Sequence, residues 1–360
     1  MPTFDLVVVG SGGGPSELNI SAYLLKARDS CWSDGVVGIE AGSGLGALKQ
    51  ILERKPDLFN EGVGEKQVRS YTAPQIYSNV RAFLVSHAHL DHVMGLILLA
   101  GTVGGPRKSI RSTRQVLEDL EESIFRPSRI WPNLASWNKD DADHMYLYDP
   151  LDFKPEYTRI HKDISVRMMA LNHGSDPTPY QSSAFFIRHD PTEQEFLFFG
   201  DVEPDSLAKK PLTIDVWRVA APKIPHRLNT IFIECSYPSG RSNDCLYGHL
   251  TPDHLVQELE NLAREIVKAK SRTSSAPSNP SSPARKRQRL KSRSNSTNTD
   301  DLKGALKGVR VYVMHFKEDM ENAYKEPIHV VITRQVKELV EKKCLGAEIL
   351  AAEQGAHIVI

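Results

Sequence analysis

The chain has 360 residues, with 45 Lys plus Arg against 45 Asp plus Glu, and this balance excludes a global field that would draw it to nucleic acid or an anionic membrane. Its 40% hydrophobic and 25% charged residues are ordinary for a globular protein with a proper core, and its length allows two domains or one large domain with insertions. Cys31, Cys235, Cys245 and Cys344 lie far apart with no C-x-x-C pair, which excludes a zinc ribbon and a disulfide framework. No basic segment followed by a long apolar stretch opens the chain, and no apolar run reaches the roughly 20 residues of a membrane span. An intracellular, mainly cytoplasmic protein with no membrane partner is expected.

In chain order, the first predicted strand covers 6–9 and runs into Gly10-Ser11-Gly12-Gly13-Gly14-Pro15, where Pro15 takes the place of the third glycine of a dinucleotide-binding turn. A strand over 36–39 precedes Gly42-Ser43-Gly44-Leu45-Gly46-Ala47, read as a tight turn with backbone positions needing positive φ, then a helix over 44–54. Another strand, 82–85, leads to a histidine-rich corner, and helices are predicted over 93–100 and 113–122. Strands follow over 164–169, 184–187, 196–199 and 230–233. The clearest helix covers 252–269, where Leu255, Leu259, Leu262 and Ile266 recur at spacings of three or four.

From Ile266 to Thr299 there is no acidic residue, and Ser, Thr, Pro and basic side chains dominate 271–300, which predicts a disordered insertion within a single domain spanning 1–360. Its Arg285, Lys286, Arg287, Arg289, Lys291 and Arg293 resemble a nuclear-localisation patch, predicting an import-receptor partner and a nuclear pool; a plain solvated loop is the competing reading. A strand over 309–313 and a helix over 333–343 complete the chain.

The segment His87-Ala88-His89-Leu90-Asp91-His92 carries the strongest chemical signal. Four candidate ligands in six residues at a strand-to-helix corner are costly to bury without partners, and a bound metal removes that cost. Imidazole and carboxylate are the donors zinc takes in hydrolytic sites that also hold water. Further polar residues follow apolar runs at His173, Asp201 and His315, each placed to point into a cleft at one sheet edge. Glu234 ends a predicted strand, and His249 in Tyr247-Gly248-His249-Leu250-Thr251-Pro252 opens the long helix.

The order H-x-H-x-D-H, lone His, Asp, final His resembles the metallo-β-lactamase superfamily, and Ser86-His87-Ala88-His89-Leu90-Asp91-His92-Val93-Met94-Gly95 resembles the class II 3′,5′-cyclic-nucleotide phosphodiesterases within it. Gly10 to Pro15 and Glu40-Ala41-Gly42-Ser43-Gly44-Leu45 fit the same family. The resemblance implies an α/β fold, the αββα sandwich of two packed sheets flanked by helices. It further implies two divalent ions, zinc above others, with His87, His89 and His173 on one, Asp91, His92 and His315 on the second, and Asp201 bridging. Catalysis falls to Asp91, His249 and Glu234, with His249 the general acid and Glu234 its orienting carboxylate by similarity to tRNA 3′-end-processing nucleases. The implied reaction is hydrolysis of cyclic AMP or cyclic GMP to the nucleoside 5′-monophosphate by a metal-bridging hydroxide, in cyclic-nucleotide signal turnover. Rival readings are another hydrolase of this fold, such as the tRNA nucleases, and a non-catalytic metal-binding scaffold. The nucleases' H-E-A-T element has no match at Cys235-Ser236, which disfavours a nucleic-acid substrate.

Overall fold

The computed structural model describes residues 2–63, 67–175, 177–274 and 299–360. Its strands are β1 (Phe4–Gly10), β2 (Ala22–Ala27), β3 (Val36–Ile39), a short antiparallel pair β4 (Glu61–Val63) and β5 (Gln67–Arg69), β6 (Val80–Leu84), β7 (Lys108–Arg111), β8 (Ala135–Ser136), β9 (Tyr146–Tyr148), β10 (Thr158–His161), β11 (Ile164–Ser175), β12 (Pro179–His189), β13 (Glu195–Phe199), β14 (Leu228–Glu234), β15 (Arg310–Met314), β16 (Glu348–Ala351) and β17 (His357–Val359). Its helices are α1 (Leu45–Arg54), α2 (Ala73–Asn79), α3 (Leu90–Leu99), α4 (Arg114–Leu120), α5 (Thr213–Ala220), α6 (Pro252–Ser274) and α7 (Ile328–Lys342).

Eight strands form one sheet in the order β17-β1-β2-β3-β6-β7-β9-β8, and seven form a second in the order β10 to β16. Successive side chains of a strand point to opposite faces, and here both faces are covered. In β13, Phe196 and Phe198 enter the layer between the sheets, while Leu197 and Phe199 pack under the helices. Leu6 and Val8 of β1 likewise face the other sheet, and Val7 and Val9 face the helices on their own side. Burial on both faces explains why these strands are apolar at nearly every position. Residues of α1 to α4 cover the first sheet and those of α5 to α7 the second, giving the expected αββα sandwich. In α6, Leu255, Leu259, Leu262 and Ile266 are all buried, each contributing about 1.5–3 kcal/mol relative to exposure.

Strand direction places the site. β13, β14 and β15 are mutually parallel, and β11 runs the same way because two antiparallel pairings separate it from β13. In the first sheet β3 and β6 are parallel. The segments leaving these strands therefore gather by sheet: His173, Asp201, Glu234 and His315 along one edge of the second, Glu40 and His87 along one edge of the first.

Several boundaries differ from expectation: β12 covers Pro179–His189 rather than 184–187, and α7 starts at Ile328 rather than 333. β11 continues through His173 to Ser175 rather than stopping before it, since pairing with β12 down to Ser175 opposite Pro179 sustains the strand past the end of the apolar run. Helix α3 starts at Leu90, not 93, because His89 is its N-cap and Asp91 lies in its first turn, where a carboxylate suits the helix dipole. Helix α6 continues to Ser274, so 271–274 are helical and not part of an insertion; the basic run 285–293 lies outside the described residues.

Candidate active site

The corner from β6 into α3 is built around close backbone contact with the segment after β3. Ala41 N donates to His92 O at 2.8 Å, Gly95 N to Gly42 O at 2.7 Å and Leu96 N to Ala41 O at 3.1 Å. A Cβ on Gly42 would lie 1.9 Å from Asp91 O, and one on Gly95 would lie 2.8 Å from Gly42 O. The glycines of this turn thus answer to close approach and not, as expected, to positive φ; the left-handed residue here is Glu40, with φ 54°. The N-terminal glycine loop serves the other wall, since a Cβ on Gly13 would fall 2.5 Å from the His315 ring. His315 itself has φ 61°, a costly conformation for a non-glycine residue that is characteristic of functional sites.

All seven expected ligands converge. His87, His89, His173 and Asp201 form one set, and Asp91, His92, Asp201 and His315 form a second, with donor atoms within 4.8 Å of one another in each. Asp201 splits between them. Its Oδ2 faces His87 Nε2 at 3.7 Å and His173 Nε2 at 3.6 Å, while Oδ1 faces His92 Nε2 at 3.3 Å and His315 Nε2 at 3.2 Å. Asp91 Oδ2 lies 3.2 Å from His315 Nε2, and His89 Nδ1 lies 3.2 Å from His173 Nε2.

Beside the second set, Glu234 Oε1 is 2.9 Å from His249 Nδ1. Both carboxylate oxygens are otherwise engaged: Val202 N donates to Oε1 at 2.8 Å, and Leu250 N and Ser236 Oγ donate to Oε2 at 3.2 and 2.7 Å. Glu234, His249 and His315 also lie close enough to hold an ion, but the four hydrogen bonds on Glu234 commit it to orienting its neighbours.

Residues 60–355 match the family model of the class-II cAMP phosphodiesterases. The chain belongs to that family. It is 31% identical to a 3′,5′-cyclic-nucleotide phosphodiesterase of Schizosaccharomyces pombe over 71% of this chain and 74% of the relative, and 28% identical to one of Aliivibrio fischeri over 98% and 92%. Unliganded yeast PDE1 shares the fold, with a TM-score of 0.76 at 21% identity and full coverage of both chains. The metallo-β-lactamase fold protein YhfI of Bacillus subtilis also superposes, with a TM-score of 0.55 at 13% identity over 99% of both chains; this class-II phosphodiesterase is an enzyme of that fold, and the reading as a tRNA nuclease falls away.

The donor sets of the phosphodiesterase fit divalent cations. His87 Nε2 is buried with no hydrogen-bond partner, and His92 Nε2 and His315 Nε2 stand 3.2 Å apart, a separation two lone pairs tolerate only with a proton or cation to share. Burial pushes His87 well below the ordinary imidazole value and His173 down to about 4, leaving neutral donors. Burial opposes charge on His92 too, but the carboxylates of Asp201, Glu40 and Asp91 raise it well above normal. Asp201 is held well below the carboxylate range: burial would raise it, and His315 and His92 outweigh that.

Several supporting residues had little signal in the sequence. Glu40 Oε2 lies 3.3 Å from His92 Nδ1, Ser86 Oγ 2.9 Å from His87 Nδ1, and Gly248 O 3.0 Å from His173 Nδ1. Tyr180 stacks on His89 with rings 4.6 Å apart and 3° between planes. Glu40 and Ser86 sit within motif segments and were legible as polar residues among ligands; Tyr180 had no marker. A 630 Å³ cleft lined in part by His89, His173, Tyr180, Glu203 and Tyr247 opens from the first set, a volume in the range of small-ligand sites. Among the described residues no helix is long and apolar enough to cross a membrane.

Proposed function

We propose that this phosphodiesterase cleaves the P–O3′ bond of a 3′,5′-cyclic nucleotide at the Asp201 centre, with cyclic AMP and cyclic GMP as its substrates. The split of Asp201, one oxygen to each histidine set, carries the reading. His87, His89 and His173 would hold one divalent ion and Asp91, His92 and His315 the other, with Asp201 shared. Zinc suits these imidazole and carboxylate donors, and such a pair supplies an activated water nucleophile and neutralises phosphate oxygens.

The remaining chemistry belongs to the chain. With Nδ1 committed to Glu234, His249 has Nε2 to present to the leaving O3′. Burial opposes a charge on His249, yet the adjacent Glu234 carboxylate raises its proton affinity above the ordinary imidazole value. That shift favours the protonated form, from which His249 can donate, a contribution of roughly 10²- to 10⁴-fold. Asp91 has a side chain less buried than that of Asp201. The 630 Å³ cleft accommodates a mononucleotide and offers Tyr180 and Tyr247 as flat neighbours for a base.

The deciding experiment is an assay of zinc-loaded protein on cyclic AMP and cyclic GMP with chromatographic detection of the 5′-monophosphates. Absence of turnover of either by protein carrying two zinc ions per chain rejects the reading. The basic run 285–293 is proposed as the contact for a nuclear-import receptor, tested by whether its deletion changes where the protein accumulates.

A further inference from the structure

Ser236 is fully buried between the histidine sets and the acid–base pair, and its single hydroxyl touches three groups. Oγ lies 2.7 Å from Glu234 Oε2, 2.9 Å from His315 O and 3.0 Å from His315 Nδ1. A serine hydroxyl has one proton to give and lone pairs with which to accept. A carboxylate and a carbonyl oxygen can only accept; the proton goes to Glu234 Oε2, the charged and nearer of the two, and the Ser236 oxygen is left to accept from His315 Nδ1. The imidazole must then carry a proton on Nδ1, and Nε2 is turned to Asp201 Oδ1 and Asp91 Oδ2, each 3.2 Å away, where a metal ion or a second proton answers the two carboxylates.

We propose that Ser236 is a positioning residue that fixes the tautomer of His315 and joins it to Glu234, so that one buried junction orients both a ligand of the second set and the general acid. The proposal rests on the ligand assignment above. Glu234 is the hub: through Val202 N it holds the residue after Asp201, through Leu250 N and its own Oε1 it holds His249, and through Ser236 it holds His315. The backbone supports the same placement, since His315 N donates to Ser11 O at 2.5 Å and Gly13 leaves room for the ring. Outer partners of this kind typically change metal affinity by 10- to 100-fold when lost.

The test uses the full chain and zinc. In metal-free wild type, imidazole ¹⁵N NMR, with His315 assigned by selective labelling, should show a proton on Nδ1, whether or not Nε2 also carries one; an unprotonated Nδ1 overturns the proposal whatever the variants do. In competition with the chelating dye 4-(2-pyridylazo)resorcinol, Ser236→Ala should weaken one of the two zinc equivalents by about 10- to 100-fold and leave the other unchanged, while Ser236→Thr, which keeps the hydroxyl, should restore it. Equal zinc affinities in wild type and Ser236→Ala overturn the proposal. Because the junction serves both a ligand and the general acid, zinc-saturated Ser236→Ala should lose more turnover on cyclic AMP than on bis(p-nitrophenyl) phosphate; equal losses on both overturn the link to the general acid. Wild type that binds two zinc ions but leaves cyclic nucleotides intact would defeat the proposed function and not the tautomer assignment.

Discussion

Replacing His249 by Asn should separate the proposed proton donation from metal binding. Its Nδ1 lies 2.9 Å from Glu234 Oε1, a contact that an Asn amide nitrogen is placed to retain, and Glu234 keeps three further donors from Val202, Leu250 and Ser236. The carboxylate is not orphaned, so the fold should survive. Neither four-residue ligand set includes His249, so two zinc ions per chain should remain. Loss of a positioned general acid costs about two to four orders of magnitude in kcat, or roughly 2.7–5.4 kcal/mol in the barrier. The assay is paired: cyclic AMP, whose leaving O3′ needs a proton, and bis(p-nitrophenyl) phosphate, whose phenolate leaves readily without one. The variant should lose 10²- to 10⁴-fold on the first and less than about tenfold on the second. Equal losses on both substrates with both metals in place would refute the argument and make His249 a substrate-holding residue. Loss of one zinc ion would instead identify it as a ligand through the Glu234–His249–His315 grouping.

Asp201→Ala removes the one side chain shared by both sets, so zinc measured by plasma emission should fall below one per chain and activity to background; retention of two ions would dismiss the bridge. Gly42→Ala drives a methyl to within 1.9 Å of Asp91 O, so the start of α3 must shift, and activity should drop by at least about tenfold with little change in circular dichroism. Asp5 is bonded by Lys26, Arg28 and His357; burial would raise its pKa, but His357 and Lys26 bring it from 3.8 down to about 2. A lowered folded-state pKa stabilises above the unfolded value and loses that stability as pH falls from about 4 through about 2. Asp5→Asn should therefore cost about 2 kcal/mol or more in urea unfolding at pH 7, with the gap to wild type narrowing below pH 4. Replacing 275–298 by a short Gly/Ser join should leave cyclic AMP turnover within about twofold, because the contacts of the site described above all lie elsewhere; a large loss in a folded variant would make that segment part of the site.

The sequence alone determined the local chemistry. His87 to His92 are contiguous, and the grouping of candidate donors there needs no fold to be seen; the order of His173, Asp201 and His315 after apolar runs was enough to expect their convergence. Elements with unbroken apolar runs or a long period, such as β3, β14 and most of α6, were equally legible. Several shorter or mixed ones were not. Strands β7 and β9 have four and three residues, too few for a period to declare itself, and α2 and α5 have only seven and eight. Tertiary structure decided what depends on pairing across the chain: β17 closing on β1, with Leu6 opposite Ile358, and the extension of β11 past its apolar run by its partner strand. It also decided how the site is wired. Which oxygen of Asp201 faces which histidines, and that Glu40, Ser86, Gly248 and Ser236 meet the outer nitrogens of the ligand rings, follow from the parallel directions of strands in two packed sheets. Those directions are fixed by burying both sheet faces at once, a balance summed over the whole core that no local window of residues contains.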